Sequence, residues 1–139
     1  MERSLNFVVL GPPLCGKGTQ SELLAKEFQL RVISPGEIFR KAIANDTKLG
    51  RYVREIVHSG KLVSDGIVIR VVRPLVTSSS CKKGFILDGF PRTMGQLRFL
   101  DNFCVAAHRK IAGTILLEID KEEMIKRSYG RERVDDRSI

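Results

Sequence analysis

Residues 11–19 have the composition and spacing of a loop that holds a phosphate chain. The segment reads Gly-Pro-Pro-Leu-Cys-Gly-Lys-Gly-Thr, matches the pattern G-x-x-x-x-G-K, and lies between a predicted strand and a predicted helix. In this setting, backbone N–H groups and the helix N-terminus surround phosphate oxygens, and Lys17 reaches the β- and γ-phosphates. Thr19 is a candidate for a phosphate or magnesium contact, although Gly18 occupies the position where many such loops carry Ser or Thr. The loop therefore predicts binding of a nucleoside triphosphate without indicating which reaction follows.

Polar side chains farther along the chain could act on the same phosphates. Asp88 ends a predicted strand, and a carboxylate beside the loop can hold Mg²⁺ directly or through water. Arg92 follows Pro91, whose fixed backbone angle φ orients the next residue. Arg92 and Arg40 each present a planar fork that matches phosphate oxygens. Gln96 lies one helical turn beyond Arg92 and carries both a donor and an acceptor, as reading an adenine edge requires.

The charge of the chain agrees with phosphate-bearing ligands. Lys plus Arg number 24 and Asp plus Glu number 16, which gives a formal net charge of +8. Basic proteins bind anionic partners such as nucleic acid, phosphorylated metabolites or membrane surfaces. Aromatic residues make up only 6% of the chain, too few for the stacking surface of a nucleic-acid binder. Nucleotide phosphates explain the basic residues, so we expect no nucleic-acid partner.

The elements that must position these residues alternate along the chain. Short apolar runs predict strands at residues 5–10, 32–33, 85–88 and 114–119. Amphipathic segments predict helices at residues 19–28, 36–44, 49–59, 67–76, 94–103 and 121–128. Strands that alternate with helices predict an α/β fold, in which a parallel sheet has helices on both faces. The length of 139 residues predicts a single domain.

The remaining composition excludes several classes of protein. Apolar residues make up 42% and charged residues 29% of the chain, which is ordinary for a soluble domain. The apolar run at residues 7–10 is far shorter than the roughly 20 residues of a membrane span. Cys15, Cys81 and Cys104 show no zinc or disulfide spacing. We therefore expect a cytoplasmic monomer without a membrane partner.

Ordered motifs extend from Asn6 to Asp136, over nearly the whole chain. The most distinctive motif reads Gly-Phe-Ile-Leu-Asp-Gly-Phe-Pro-Arg-Thr at residues 84–93 and is followed by Gln96. The other motifs lie at residues 11–20, 33–40, 60–65 and 127–136. Together they resemble the adenylate kinase family of nucleoside monophosphate kinases. The resemblance implies a P-loop nucleoside-triphosphate-binding fold and reversible transfer of a phosphoryl group from Mg²⁺-ATP to AMP, giving two ADP.

The resemblance also implies roles for individual residues. It implies ATP contacts at Leu14, Cys15, Gly16, Lys17, Gly18, Thr19 and Arg127. It implies AMP contacts at Pro35, Arg40, Lys61, Leu62, Val63, Gly89, Phe90, Pro91, Arg92 and Gln96. It implies catalytic roles for Lys17, Arg92, Arg127, Arg131, Arg133 and Asp88. Asp88 is expected to hold Mg²⁺ through water.

The family's organisation can be carried onto the single P-loop kinase domain expected at residues 1–139. The core comprises residues 1–33 and 67–126, the monophosphate-binding segment residues 34–66, and a short lid residues 127–136. No cysteine lies in the lid, so no zinc is expected. The family's last edge strand has no counterpart in the sequence given. We therefore expect that the parallel sheet formed by these residues lacks this edge strand.

Three positions depart from the family pattern. Leu14 stands where the family usually has glycine, and a left-handed leucine would be strained by roughly 1–3 kcal/mol unless the loop relaxes. Cys15 replaces a small residue, and Pro35 replaces a threonine that contacts the base. Thr93 with Gln96 favours AMP as the acceptor. Two alternatives stay open, a UMP/CMP-type kinase and a nucleotide-binding module with little or no turnover.

Overall fold

A computed structural model describes residues 3–130 of the chain and shows strands alternating with helices. The strands in this part are β1 (Leu5–Leu10), β2 (Arg31–Ile33), β3 (Gly84–Asp88) and β4 (Ile111–Leu116). The α-helices are α1 (Lys17–Phe28), α2 (Pro35–Ala44), α3 (Lys48–His58), α4 (Asp65–Val76), α5 (Met94–Ala106) and α6 (Lys121–Ser128). A short 3-10 helix lies at Ser79–Cys81.

The strands form one parallel sheet in the order β2-β3-β1-β4. All five residues of β3 are buried, because this strand lies between two neighbours and beneath helices. Val9 of β1 lies opposite Asp88 of β3. The loop that follows β1 and the carboxylate that ends β3 therefore meet at one edge of the sheet, where α/β proteins bind their ligands.

Alternating side chains of the inner strands form a core on each face of the sheet. Val8 and Leu87 pack on one face, in a cluster with Phe39, Val53, Val68 and Leu100 of the helices α2 to α5. Val9 and Ile86 pack on the other face, in a cluster with Leu24 and Leu30 at and behind α1. The predicted α/β fold with helices on both faces is confirmed.

Side-chain caps determine where four of the helices begin: α2, α3, α6 and, in the candidate site, α5. The Ser34 hydroxyl accepts from the Glu37 N–H (3.3 Å), and the Thr47 hydroxyl accepts from the Gly50 N–H (3.0 Å). The Asp120 carboxylate accepts from the Glu123 N–H (2.8 Å). Each cap satisfies a backbone donor that the first turn of a helix leaves unpaired.

The last strand lies earlier in the chain than predicted. Residues 114–119 were expected to form it, but β4 spans Ile111–Leu116. The strand begins early because Gly113 packs opposite the Phe7 ring and pairs with Phe7 in the sheet, a neighbour that sequence periodicity does not reveal. It ends early because the chain must turn so that Asp120 can cap α6.

Helices long and apolar enough to cross a membrane do not occur among residues 3–130.

Candidate nucleotide-binding site

The predicted phosphate loop connects β1 to α1. The helix starts at Lys17, two residues before the predicted start at Thr19, and Gly16 occupies its N-cap with a φ of 91°. Glycine adopts this left-handed backbone without strain, and the first N–H groups of a helix have no acceptor within the helix, so they are available to a phosphate. Gly18 and Thr19 lie in the first helical turn. This geometry suits a bound phosphate chain.

Lys17 lies folded over the loop that carries it. Its ammonium donates to the backbone carbonyls of Gly11 and Pro12, at 3.0 Å each, and lies 3.9 Å from the Cys15 sulfur. The charge is thus already located at the loop opening. A phosphate that enters the loop would replace these carbonyls with charged oxygens, which are stronger acceptors.

Leu14 keeps the left-handed backbone that glycine would adopt more easily. Its φ is 67°, so the loop retains its shape at a strain of roughly 1–3 kcal/mol. The leucine side chain is buried, which offsets part of this strain. The Leu14 carbonyl accepts a hydrogen bond of 3.0 Å from Arg127, whose Nε donates to Glu123 at 2.9 Å. Glu123 was not identified from the sequence, since its i, i+4 spacing to Arg127 resembles any surface pair on a helix.

Asp88 lies at the end of β3, next to the start of the phosphate loop. Its register partner is Val9, and its side chain is nearly buried. Mg²⁺ is commonly held by one or two carboxylates together with substrate phosphates, so a single carboxylate here suits an ion that arrives with a nucleotide. Groups of three or more His, Cys, Asp or Glu side chains that could hold a metal unaided are absent from the described residues.

A cavity of about 200 Å³ lies between the phosphate loop, α2, the α3–α4 turn and the start of α5. Lys17 lines this cavity from the loop side. The residues predicted for AMP that line it are Pro35, Arg40, Lys61, Leu62, Val63, Gly89, Arg92 and Gln96. The structure thus brings residues of both predicted nucleotide sites around one space, while their roles stay predictions.

Phe90 and Pro91, which were also predicted for AMP, are not among the residues that line this cavity. Phe90 is fully buried, and its ring packs edge-on against Phe99 with the ring centres 6.3 Å apart. By packing in the core, the Phe90 ring anchors the segment that carries Arg92. Any contact of Phe90 with AMP would have to come from its backbone.

Two arginines present their guanidinium groups beside glycines. Arg40 forms a 3.1 Å ion pair with Glu37, and a Cβ atom on Gly36 would lie 3.1 Å from its Nη1. A Cβ atom on Gly89, whose φ is 72°, would lie 2.9 Å from Nη2 of Arg92. A side chain at position 89 would therefore displace the Arg92 guanidinium as well as strain the backbone.

Gln96 is buried and bonded at both ends of its amide. Its oxygen accepts from the Arg92 N–H (2.8 Å), and its nitrogen donates to Oδ1 of Asp65 (3.1 Å). Thr93 donates its hydroxyl to the same Asp65 oxygen (2.7 Å) and caps α5 by accepting from the Gln96 N–H (3.2 Å). Asp65 was not identified as a functional residue, because an acid in the first turn of a helix has an ordinary explanation in the helix dipole.

Part of the predicted site lies outside the described residues. Arg131 and Arg133 belong to this part, as do residues 131–136 of the predicted lid. Of the predicted lid arginines, Arg127 is the one that the structure places, and it lies against the phosphate loop.

Comparison with known proteins identifies the family. The sequence model of adenylate kinase matches residues 9–138. Over 127 residues the chain is 42% identical to proteins named adenylate kinase from Carboxydothermus hydrogenoformans and Geotalea uraniireducens, and 40% identical to one from Clostridium acetobutylicum. These matches cover 91% of this chain, which spans about three-fifths of the length of these curated relatives (58–59%). The chain belongs to the adenylate kinase family.

Proposed function

We propose that this chain transfers a phosphoryl group reversibly from ATP to AMP, giving two molecules of ADP. The cavity carries the proposal, because Lys17 of the phosphate loop lines the same space as Arg40 and Arg92. Three cationic side chains around one cavity suit two phosphate-bearing substrates that meet inside it. The name that the relatives share supports the same reaction.

In the proposed reaction, an oxygen of the AMP phosphate attacks the γ-phosphorus of ATP. A P–O bond forms to this oxygen while the bond between the γ-phosphorus and the β,γ-bridging oxygen breaks, and ADP leaves with that electron pair. The attacking oxygen is already anionic, so the reaction needs no general base. The protein contributes position and positive charge, which stabilise the loose transition state.

Each cationic group has a place in this proposal. Lys17 exchanges its contacts with the Gly11 and Pro12 carbonyls for the β- and γ-phosphates. Arg40 and Arg92 bind the acceptor phosphate. The proposed lid arginines Arg127, Arg131 and Arg133 add charge on the ATP side.

The metal and the cellular setting belong to the same proposal. Asp88 would hold the Mg²⁺ that ATP carries, and the ion would neutralise charge on the phosphates when bound. Cys15, Cys81 and Cys104 are free and buried, which suits a reducing compartment such as the cytoplasm. The monomeric state and the absence of zinc stay predictions.

AMP is the proposed acceptor in preference to UMP or CMP. Thr93 and Gln96 support this assignment, since the Gln96 amide lines the cavity and can offer both a donor and an acceptor to a base. Pro35 is the first residue of α2 and lines the cavity, but it lacks the hydroxyl of the family's threonine. The contacts with the base must therefore come from the opposite wall of the cavity, which Gln96 lines.

The test is a coupled assay of ADP formation with Mg²⁺-ATP and each monophosphate in turn. We expect kcat/KM for AMP to exceed the values for UMP and CMP, and a higher value for either pyrimidine would overturn the assignment of the base. A parallel titration with a non-hydrolysable ATP analogue separates an enzyme from a binding module. Binding of the analogue without magnesium-dependent turnover would contradict the proposed reaction.

A further inference from the structure

Asp65 links the start of α4, at the end of the predicted monophosphate-binding segment, to α5, the helix that carries Gln96. It is the first residue of α4 and is half-buried. Its Oδ1 accepts from the Thr93 hydroxyl at 2.7 Å and from Nε2 of Gln96 at 3.1 Å. Two donors from α5 and its N-cap therefore converge on one carboxylate oxygen from α4.

These bonds give the Gln96 side chain a single orientation. Its oxygen must face the Arg92 N–H, a donor, and its nitrogen must face the Asp65 carboxylate, an acceptor. A flipped amide would place two donors together at Arg92 and two acceptors together at Asp65, which leaves buried polar groups unpaired. Without the carboxylate, one of these two restraints is lost.

A fixed amide can distinguish bases that a freely rotating amide cannot. The two observed bonds leave Gln96 with one amide hydrogen and one oxygen lone pair for a ligand in the cavity. A 6-amino purine offers an acceptor at N1 and a donor at its amino group, whereas a 6-oxo purine offers a donor at N1 and an acceptor at its oxygen. A glutamine that can flip can match either pattern.

We propose that Asp65 is a positioning residue that fixes the Gln96 amide and thereby makes the site select 6-amino over 6-oxo purine monophosphates. The inference rests on the proposed function, since it assumes that the monophosphate base lies against Gln96. Asp65 acts through Gln96 and needs no contact with the nucleotide.

Gly95 provides an independent way to disturb the carboxylate. A Cβ atom at this position would lie 2.4 Å from Oδ2 of Asp65, so Gly95→Ala must push the carboxylate away. Alanine favours a helix more than glycine does, so α5 itself should not be weakened by this change. Gly95→Ala thus removes the restraint while leaving the charge of Asp65 and the helix in place.

The experiment measures equilibrium binding of AMP and IMP by titration calorimetry. We expect the unsubstituted chain to prefer AMP, and we expect Asp65→Ala and Gly95→Ala each to lower the ratio of AMP to IMP affinity about tenfold. Asp65→Asn should restore most of the preference, because its amide oxygen can accept from Thr93 and Gln96. Glu122→Ala is the matched control, since Glu122 is also an acid in the first turn of a helix but lies in α6.

The outcomes separate the inference from the proposed function. If folded Asp65→Ala and Gly95→Ala keep the preference for AMP over IMP, the inference is wrong but the proposed function still stands. Asp65 would then act only as an acid at the start of α4. If Asp65→Ala does not fold, Gly95→Ala with Asp65→Asn decides the question. Failure of the unsubstituted chain to bind AMP overturns the proposed function and the inference together. An equal loss of preference in Glu122→Ala also contradicts the inference.

Discussion

The two sides of the candidate site are held in different ways. The monophosphate side, defined as Arg40, Arg92, Gln96 and the cavity they line, is supported by contacts between elements, since Gln96 of α5 is bonded to Asp65 of α4. The triphosphate side, defined as residues 11–19 with Arg127, is held by cationic side chains that bond to the backbone of the loop. There Lys17 and Arg127 donate to carbonyls of the loop.

This difference indicates which ligand must rearrange the protein. In the proposed reaction, a monophosphate would enter a cavity that already exists and whose Gln96 amide is already oriented. A triphosphate that binds as proposed would first have to replace the carbonyls that Lys17 contacts. We therefore expect the triphosphate side to respond more strongly to its ligand, although it contains the more familiar motif.

The largest effect is expected from removal of the charge on the triphosphate side. Lys17→Ala should lower kcat/KM about 10²- to 10³-fold, because the ammonium stabilises charge that develops on the transferred phosphoryl group. Steady-state ADP formation measures this loss. Lys26→Ala, in the last turn of the same helix, should leave kcat/KM within about twofold. Turnover of Lys17→Ala near the unsubstituted level would remove Lys17 from the site.

On the monophosphate side, Arg92→Ala should lower kcat/KM about hundredfold. In the proposed reaction, the substitution would remove the charge-assisted contact of the guanidinium with the acceptor phosphate, which stabilises the transition state. Arg98→Ala is the control, because Arg98 is exposed on the neighbouring helix α5. Equal activities of the two variants would contradict the proposed role and with it the comparison of the two sides.

A smaller effect tests the strain in the phosphate loop. Leu14→Ala and Leu14→Gly both lose the buried side chain, but only glycine relieves the left-handed backbone. Leu14→Gly should therefore be more stable than Leu14→Ala by about 1 kcal/mol in urea unfolding. At Gly66, in the first turn of α4 with open space around it, alanine should be the more stable residue. If alanine were the more stable residue at position 14 as well as at position 66, the loop would not be strained.

The smallest effect concerns α5, the helix that carries Gln96. Burial raises the pKa of the Cys104 thiol above its ordinary 9.0, and the charge of Asp101 adds to this, while Arg109 opposes it. The folded state thus favours the neutral thiol. The neutral Cys104 thiol therefore makes its full contribution to the free energy of unfolding below pH 9.0. This contribution is lost as the pH rises through the higher pKa of the folded state.

Thermal unfolding between pH 8 and pH 11 tests this dependence. Above pH 9 the midpoint should fall less steeply in Cys104→Ala than in the unsubstituted chain, because the variant has no thiol to ionise. Identical slopes would show that the thiol ionises as easily in the folded chain as in the unfolded one.

The centre of the fold could be predicted because its signals are local. β1 and β3 are short apolar runs that end at glycine and prolines or at an acid, and their predicted bounds lie within one residue of the observed ones. The predicted bounds of β4 lay three residues too far along the chain. The start of this strand depends on pairing with Phe7, which is distant in sequence. Local patterns do not specify such pairing.

The same limit applied to the candidate site, where residues in local motifs could be predicted and their distant partners could not. The motifs identified Lys17, Arg40 and Arg92, and the cavity brings them together. Two kinds of partner were missed because no local pattern marks them: backbone carbonyls, such as that of Leu14, and side chains far away in sequence. Asp65 bonds to residues 28 and 31 positions farther along the chain, a distance at which no periodic pattern applies.

The central claim is that both sides of the site serve one direct transfer between two nucleotides. A rapid-quench experiment with ATP labelled in its γ-phosphate, with and without AMP, tests this claim directly. The label should appear in ADP in an amount equal to the AMP consumed, and little should be released as inorganic phosphate. Label released as phosphate at the same rate whether or not AMP is present would contradict the account.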